Sequence, residues 1–324
     1  MKGPTACAVA SVMMLAMSGC QATVRTASPE AAPLKLRSEA ATFEATPGEK
    51  PAGRLYVVVG DESGNNGRLY DLRLAPPTLE LLAPTKRVSN VGACADHVVV
   101  AAGQPEVGFT DHLQEVRIGA LVPIDGLGPL QAFSPRLASD CRVAYTWVDR
   151  STTPLVGELR IWDPGRKSGR TLYRARPGDG PLATTDWGPN GEAAAIRLRP
   201  VPGGDLAAGT PPGRSPAVVV VRPDGSVSEI ALSGDPGLFT WGKRWMAVMD
   251  EEQQATVFID PASNDRPILR DWRPVVWSPD GERLLVKDAK TRMTLGVVEA
   301  SDLATVKEIG RVSAPLLDAD WLAS

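Results

Sequence analysis

The sequence predicts an all-β chain, a six-bladed β-propeller of four-stranded blades closed by the C-terminal strand completing the N-terminal blade. Two observations predict it. A short strand–turn–strand unit recurs six times at the spacing of one blade, and the chain stops just after the first strand of the last unit. The clearest copy is RPVVWSPDGERLLV (273–286), where an apolar run ending at Trp277, a Pro-Asp-Gly turn and a second apolar run read as two tightly joined strands.

Matching copies are LATTDWGPNGEAAAI at Trp187, GLFTWGKRWMAV at Trp241 and LLDADWLAS at Trp321. Two weaker ones precede them, PLQAFSPRLASDCRVAYT with Phe133 and VSNVGACADHVVVAA with Gly92 in the aromatic slot. The slots are separated by 41, 54, 54, 36 and 44 residues, close to the forty-odd residues of a four-stranded blade. Third strands follow in ELRIWDPG, AVVVVRPDG, ATVFIDPAS and TLGVVEASD, and fourth strands in RTLYRA, SVSEIAL, RPILRD and TVKEIGR. At the other end, RLYVVVG, GRLYDLRL and TLELLAP form three strands without a first partner, so the strand around Trp321 must complete that blade and remove a sheet edge. Trp277 is expected to fill the space between blades, and Gly281 to supply a positive φ in the turn.

The WSPDG of residues 277–281, with WGPNG at 187–191 close behind, resembles the TolB-like, WD-type propeller repeat, marked by an aromatic residue, a Ser-Pro-Asp-Gly turn and an apolar strand. The resemblance covers about five-sixths of the chain and implies the fold; propellers host many unrelated functions.

The amino terminus has a different character. Lys2, the apolar stretch Thr5 to Ala16 and the small-residue pair Ser18-Gly19 before Cys20 have the order of an export signal, and the run is too short to span a bilayer. MSGC (17–20) resembles the lipobox of bacterial lipoproteins, with Met17 where Leu is usual. The resemblance implies a signal peptide over 1–19, an acylated Cys20, and an extracytoplasmic chain held to a bacterial membrane by lipid. Residues 20–53, rich in Ala, Thr, Pro and Glu without a sustained period, read as a flexible linker that holds the domain of 54–324 roughly 30 Å from the bilayer. With Cys7 removed and Cys20 acylated, Cys94 and Cys141 remain, both between first and second strands of neighbouring blades, and are expected to form a disulfide.

Little in the chain points to catalysis. A net charge of −3 and no Lys/Arg cluster argue against nucleic acid. Only two histidines occur, with His97 opening an apolar strand and His112 in what reads as a polar loop, and no nucleophile elbow, phosphate loop or C-x-x-C pair is present. DESGNNG (61–67) resembles a calcium loop but lacks the glycine and acid such a loop needs, so it reads as a hairpin. Asp186 and Asp320, each before a slot Trp, are expected to bond to backbone or hydroxyl groups between blades. Together with Asn90 they are the trio a metal site in the tunnel would use.

The long connections are mostly of the second-to-third kind: 60–67, 103–114, 149–157 and 199–216. They put a protein-binding surface on that face, with Phe109, Asp111, His112, Arg150 and Arg214 as its candidate contacts and little expected of the cysteine face. The resulting expectation is a non-enzymatic interaction or sensing module with an envelope protein partner and no cofactor. The alternative is a metal-dependent propeller enzyme of the sugar-lactone hydrolase or quinoprotein type.

Overall fold

A computed structural model describes residues 40–48, 53–61, 67–83, 87–95, 97–103, 111–125, 127, 132–149, 156–176, 179–198, 215–263 and 265–322. Strand β1 (Phe43–Ala45) precedes a ring of six sheets. The first blade holds β2 (Arg54–Val59), β3 (Arg68–Leu74) and β4 (Pro77–Ala83). The second holds β5 (Val88–Cys94), β6 (His97–Gly103), β7 (Asp111–Arg117) and β8 (Ala120–Pro123). The third is β9 (Ala132–Leu137), β10 (Val143–Asp149), β11 (Val156–Asp163) and β12 (Ser168–Arg174). The fourth is β13 (Leu182–Trp187), β14 (Ala193–Arg197), β15 (Ala217–Val221) and β16 (Val227–Ala231). The fifth is β17 (Pro236–Trp241), β18 (Met246–Asp250), β19 (Ala255–Ile259) and β20 (Ile268–Arg270). The sixth is β21 (Trp272–Trp277), β22 (Arg283–Asp288), β23 (Thr294–Glu299) and β24 (Asp302–Val312), after which β25 (Leu316–Leu322) pairs with β2 and completes the first blade.

The first strands β25, β5, β9, β13, β17 and β21 touch one another in succession, so they line the axis, and the fourth strands lie outside. This is a six-bladed β-propeller. The hydrophobic core is divided into six clusters between adjacent blades, and the middle strands bury both faces. In β2, Leu55, Val57 and Val59 pack toward the sixth blade, and Tyr56 and Val58 toward the second. Because neither face meets water, such strands read as unbroken apolar runs rather than alternating ones.

Trp277 is a structural residue. It is 5% exposed, packs with Trp245, Ala247 and Leu284, and meets Phe258 edge-on at 6.4 Å. It fits because Gly242, just after the preceding slot Trp241, has no side chain: a Cβ there would lie 2.6 Å from Trp277 Cδ2. Gly281 closes the turn at φ 70°, its amide donating to the Ser278 carbonyl at 2.7 Å.

Three features differ from the sequence reading. The slot in the two weaker copies belongs to Ala93 and Leu137, not to Gly92 and Phe133. Ala93 pairs with Val98 as Trp241 does with Met246, and Leu137 pairs with Val143 as Trp187 does with Ala193. Phe133 lies four residues earlier, opposite Thr146 and beyond a bulge in the β9–β10 ladder. A small and an aliphatic residue in an aromatic slot left the pattern nothing to match.

The second difference is β1, which falls in the stretch read as linker. Phe43, Glu44 and Ala45 pair with Val312, Arg311 and Gly310 at the outer edge of the sixth blade. The Ala41 amide donates to the Tyr70 hydroxyl of the first blade at 3.1 Å. Three residues are too few to show a period, and the glycine that admits the Phe43 ring, Gly310, is far away in sequence.

The third is His112. It lies in β7 opposite Ala102, only 8% exposed, and is not on a loop surface.

Candidate functional site

The residues before the slots in the first, third, fourth and fifth blades, Asp320, Arg136, Asp186 and Thr240, make side-chain hydrogen bonds that clasp the blades together. Asp186 Oδ2 accepts from the Trp241 amide at 2.7 Å and the Thr240 hydroxyl at 2.6 Å in the next blade, while Oδ1 accepts from the Trp187 amide at 2.8 Å. Asp320 repeats this in the first blade: Oδ2 accepts from the Ala93 amide at 2.6 Å and Oδ1 from the Trp321 amide at 2.9 Å. Both acids therefore bond to backbone and hydroxyl groups between blades, as a buried carboxylate must.

Two residues earlier in β25, on the same side of the strand, Asp318 accepts from the Val91 amide at 3.0 Å and from Asn90 Nδ2 at 3.3 Å. Its main partner comes from across the ring. Arg136, the residue before the slot in the third blade, donates through Nη2 to Asp318 Oδ1 at 2.7 Å and through Nη1 to Oδ2 at 2.9 Å, with both side chains 6% exposed. Deeper still, Lys287 Nζ donates to the carbonyls of Leu316 at 2.8 Å and Leu317 at 2.7 Å.

The channel sets the proton affinities of these groups. Burial works against the Arg136 charge, but the charge and hydrogen bonds of Asp318, with Asp320 and Asp186 adding, raise its pKa above the ordinary value. Asp318 is likewise opposed by burial and held below the carboxylate range by Arg136. Asp186 is raised, because burial outweighs the Arg136 charge and its three hydrogen bonds. Burial pushes Asp320 up to about 7, with the Asp186 charge adding and Arg136 and the Ala93 amide opposing. Burial pulls Lys287 down to about 7 against the charge of Asp318.

Above this network lies a cavity of about 580 Å³ on the face of the first-to-second connections. All six blades line it; Trp187, Trp241, Trp277 and Trp321 form much of its wall, and Asp186 and Asp320 sit in it. The disulfide of Cys94 and Cys141, with Cα atoms 5.3 Å apart, joins the second and third blades, and Cys94 reaches the cavity rim. The cavity is thus on the cysteine face, where the sequence reading expected little.

Asn90 and Asp320 are both tied into the β25–β5 contact, and Asp186 lies in the fourth blade, opposite the first. Among the described residues no group of three or more His, Cys, Asp or Glu side chains is placed to hold a metal ion. Of the proposed partner contacts, Asp111 begins β7, and Phe109, Arg150 and Arg214 lie outside the described residues, as does Cys20. The long second-to-third connections that carry them are flanked by the expected strands.

Sequence reasoning missed Arg136, Asp318 and Lys287. A signal existed: Asp318 and Asp320 share one side of the otherwise apolar β25, and Lys287 ends the apolar run LLV of β22. A charge at an inward position of a buried strand must have a buried partner.

Fold and site together define a β-propeller whose axis is plugged by a charged network under an aromatic-walled cavity. No family model and no curated protein matches the chain. Solved structures do. TolB from Acinetobacter baumannii aligns at a TM-score of 0.60 and 14% identity over 83% of this chain and 66% of the TolB chain, so this chain spans less than two thirds of TolB. A structure of a nidogen/laminin complex aligns at a TM-score of 0.58 and 14% identity, over 85% of this chain and 99% of the other. At these identities the likeness is one of fold.

Proposed function

We propose that the chain is an extracytoplasmic β-propeller, lipid-anchored at Cys20, that serves as a non-enzymatic interaction or sensing module. The observation that carries the non-enzymatic part is the commitment of the channel acids. Asp186 and Asp320 each accept hydrogen bonds on both oxygens, and they stand in opposite blades. A divalent ion needs several oxygen ligands converging on one point, and these acids instead hold blade to blade. The signal-like order of residues 1–20 supports the tether. Four consecutive long second-to-third connections in the sequence, the segments to which Phe109, Asp111, Arg150 and Arg214 belong, support a protein partner on the face of those connections.

One experiment separates this reading from a metal-dependent enzyme. The full chain and its Cys20→Ala variant are expressed in a bacterium, fractionated, and melted with and without calcium. The wild-type chain is expected in the membrane fraction and the variant outside it or unprocessed, with Tm insensitive to the ion. A calcium-dependent rise of about 5 °C or more, as for a site filled at a hundredfold excess over Kd, would move the assignment to the enzyme class. Equal partitioning of the two chains would remove the tether.

A further inference from the structure

We infer that the cavity on the cysteine face binds a small organic cation, an amine or amidinium carried on an aromatic or aliphatic body. This names what a sensing module would detect and rests on that reading for its biological meaning. Binding itself is measured in solution, so a failed tether would leave the inference standing.

Shape and size come first. The cavity volume of about 580 Å³ falls within the range of small-molecule sites. Trp277 and Trp321 lie behind its surface at 5% and 4% exposure and Arg142 covers a face of Trp187, so half-buried Trp241 is the aromatic face left for a cation. Trp241 is half-buried and adjoins Asp186 through its own amide, so an aromatic ring and a carboxylate meet on one wall.

Charge comes second. The cations near the cavity each have an acidic partner: Arg136 is held by Asp318 below, Lys243 on the rim lies 3.1 Å from Glu282, and Arg142 and Arg283, over the Trp187 and Trp321 rings, lie 2.7 Å from Asp140 and 3.5 Å from Asp280. Asp186 and Asp320 have only amide and hydroxyl donors, and among the described residues neither enters an ion pair. Neutral donors stabilise a carboxylate without cancelling its charge; Asp186 Oδ2 is filled by two donors, while Asp186 Oδ1 and both Asp320 oxygens accept one each and keep acceptor capacity. Two acids without an ion-pair partner, on opposite walls, suit a monocation on the axis, which needs a negative field and one or two acceptors.

Proton linkage supports the geometry. Asp320 faces Arg136 from β9, Asp186 from β13, Tyr56 across the β2 ladder and Asp318 on its own strand, with Arg283 over the neighbouring Trp321 ring. Its proton affinity, raised by burial to about 7, makes the site partly neutral near neutrality, so a bound cation must displace a proton.

The test uses the purified full chain in detergent, titrated with benzamidine and phenethylamine and followed by Trp fluorescence and calorimetry. Benzoate and benzyl alcohol control for charge and body. Saturable binding is expected for both cations and not for benzoate. Asp186→Asn and Asp320→Asn keep an acceptor oxygen for the blade clasp but remove the charge, and each is expected to weaken binding about tenfold, the value of one charge-assisted contact. Wild-type affinity should fall between pH 8 and 6, and Asp320→Asn should flatten that slope. Should either Asn variant fail to fold, Lys243→Gln decides. It removes an exposed rim cation and should tighten benzamidine binding about twofold. Benzoate binding as well as benzamidine, no saturable benzamidine signal, folded Asn variants at wild-type affinity, or weaker binding by Lys243→Gln would each overturn the inference.

Discussion

Removing Arg136 is the most demanding test of how the ring is held. In Arg136→Met, Asp318 loses two guanidinium bonds of 2.7 and 2.9 Å in a place where its side chain is 6% exposed. Breaking a buried ion pair from one side costs about 3–5 kcal/mol, mostly the penalty of an uncompensated buried charge. The lower end applies here, because the Val91 amide, Asn90 Nδ2 and the nearby Lys287 still face the carboxylate. At roughly 2 °C per kcal/mol for a chain of this length, Tm should fall by about 6 °C.

Asp318→Asn should cost a similar amount by stranding the guanidinium, while the double variant should cost far less than the sum, with a coupling energy of about 2 kcal/mol. Urea unfolding of the four chains measures the cycle. The acid limb gives an independent check. Asp318 has a folded pKa below its unfolded value, so its contribution is present above the carboxylate range and is lost as pH falls through the folded value. Arg136→Met should erase that loss. Additivity of the two single changes within about 0.5 kcal/mol, or a single change under about 1 kcal/mol, would refute the view that this pair organises the channel.

Two further outcomes are expected. Opening the Cys94–Cys141 bridge by Cys94→Ala/Cys141→Ala frees a loop with a sequence separation of 47, for which chain entropy gives about 4 kcal/mol of lost stability; a melting curve unchanged by the double variant or by reductant contradicts it. Asp320 has a folded pKa raised from 3.8 to about 7, so its folded form retains a proton that the unfolded form has lost, and stability declines as pH rises between those values. Asp320→Asn should therefore gain stability relative to wild type on going from pH 4 to 7, by at most about 1.4 kcal/mol per unit, and a difference that stays constant with pH rules the assignment out.

Much of the fold was legible because it is written locally. The WSPDG turn at 277–281 carries its own conformational instructions: Gly281 at φ 70°, Asp280 accepting the Glu282 amide, and an apolar strand on either side. The weaker copies misled by one residue at Gly92 and four at Phe133, since an aromatic side chain was being sought where Ala93 and Leu137 stand. His112 was placed in a loop because Asp111 and Gln114 flank it, yet strand pairing with Ala102 turns it inward. Asp186 and Asp320 were found by position, and their expected bonding to the neighbouring blade is what the structure shows.

By itself the sequence determined the number of blades and the closure by β25, because strand propensity, turn chemistry and the order of repeats act over a few residues at a time. Only the tertiary structure decided what occupies the axis. Arg136 and Asp318 are 182 residues apart and meet because the third and first blades face the same narrow channel. Lys287 finds the carbonyls of Leu316 and Leu317 for the same reason, and Phe43 meets Gly310 only because β1 pairs with β24 at the outer edge of the sixth blade. A buried charge selects its partner by proximity in space, and no local pattern in a chain records which of its distant residues ring closure will bring within 3 Å.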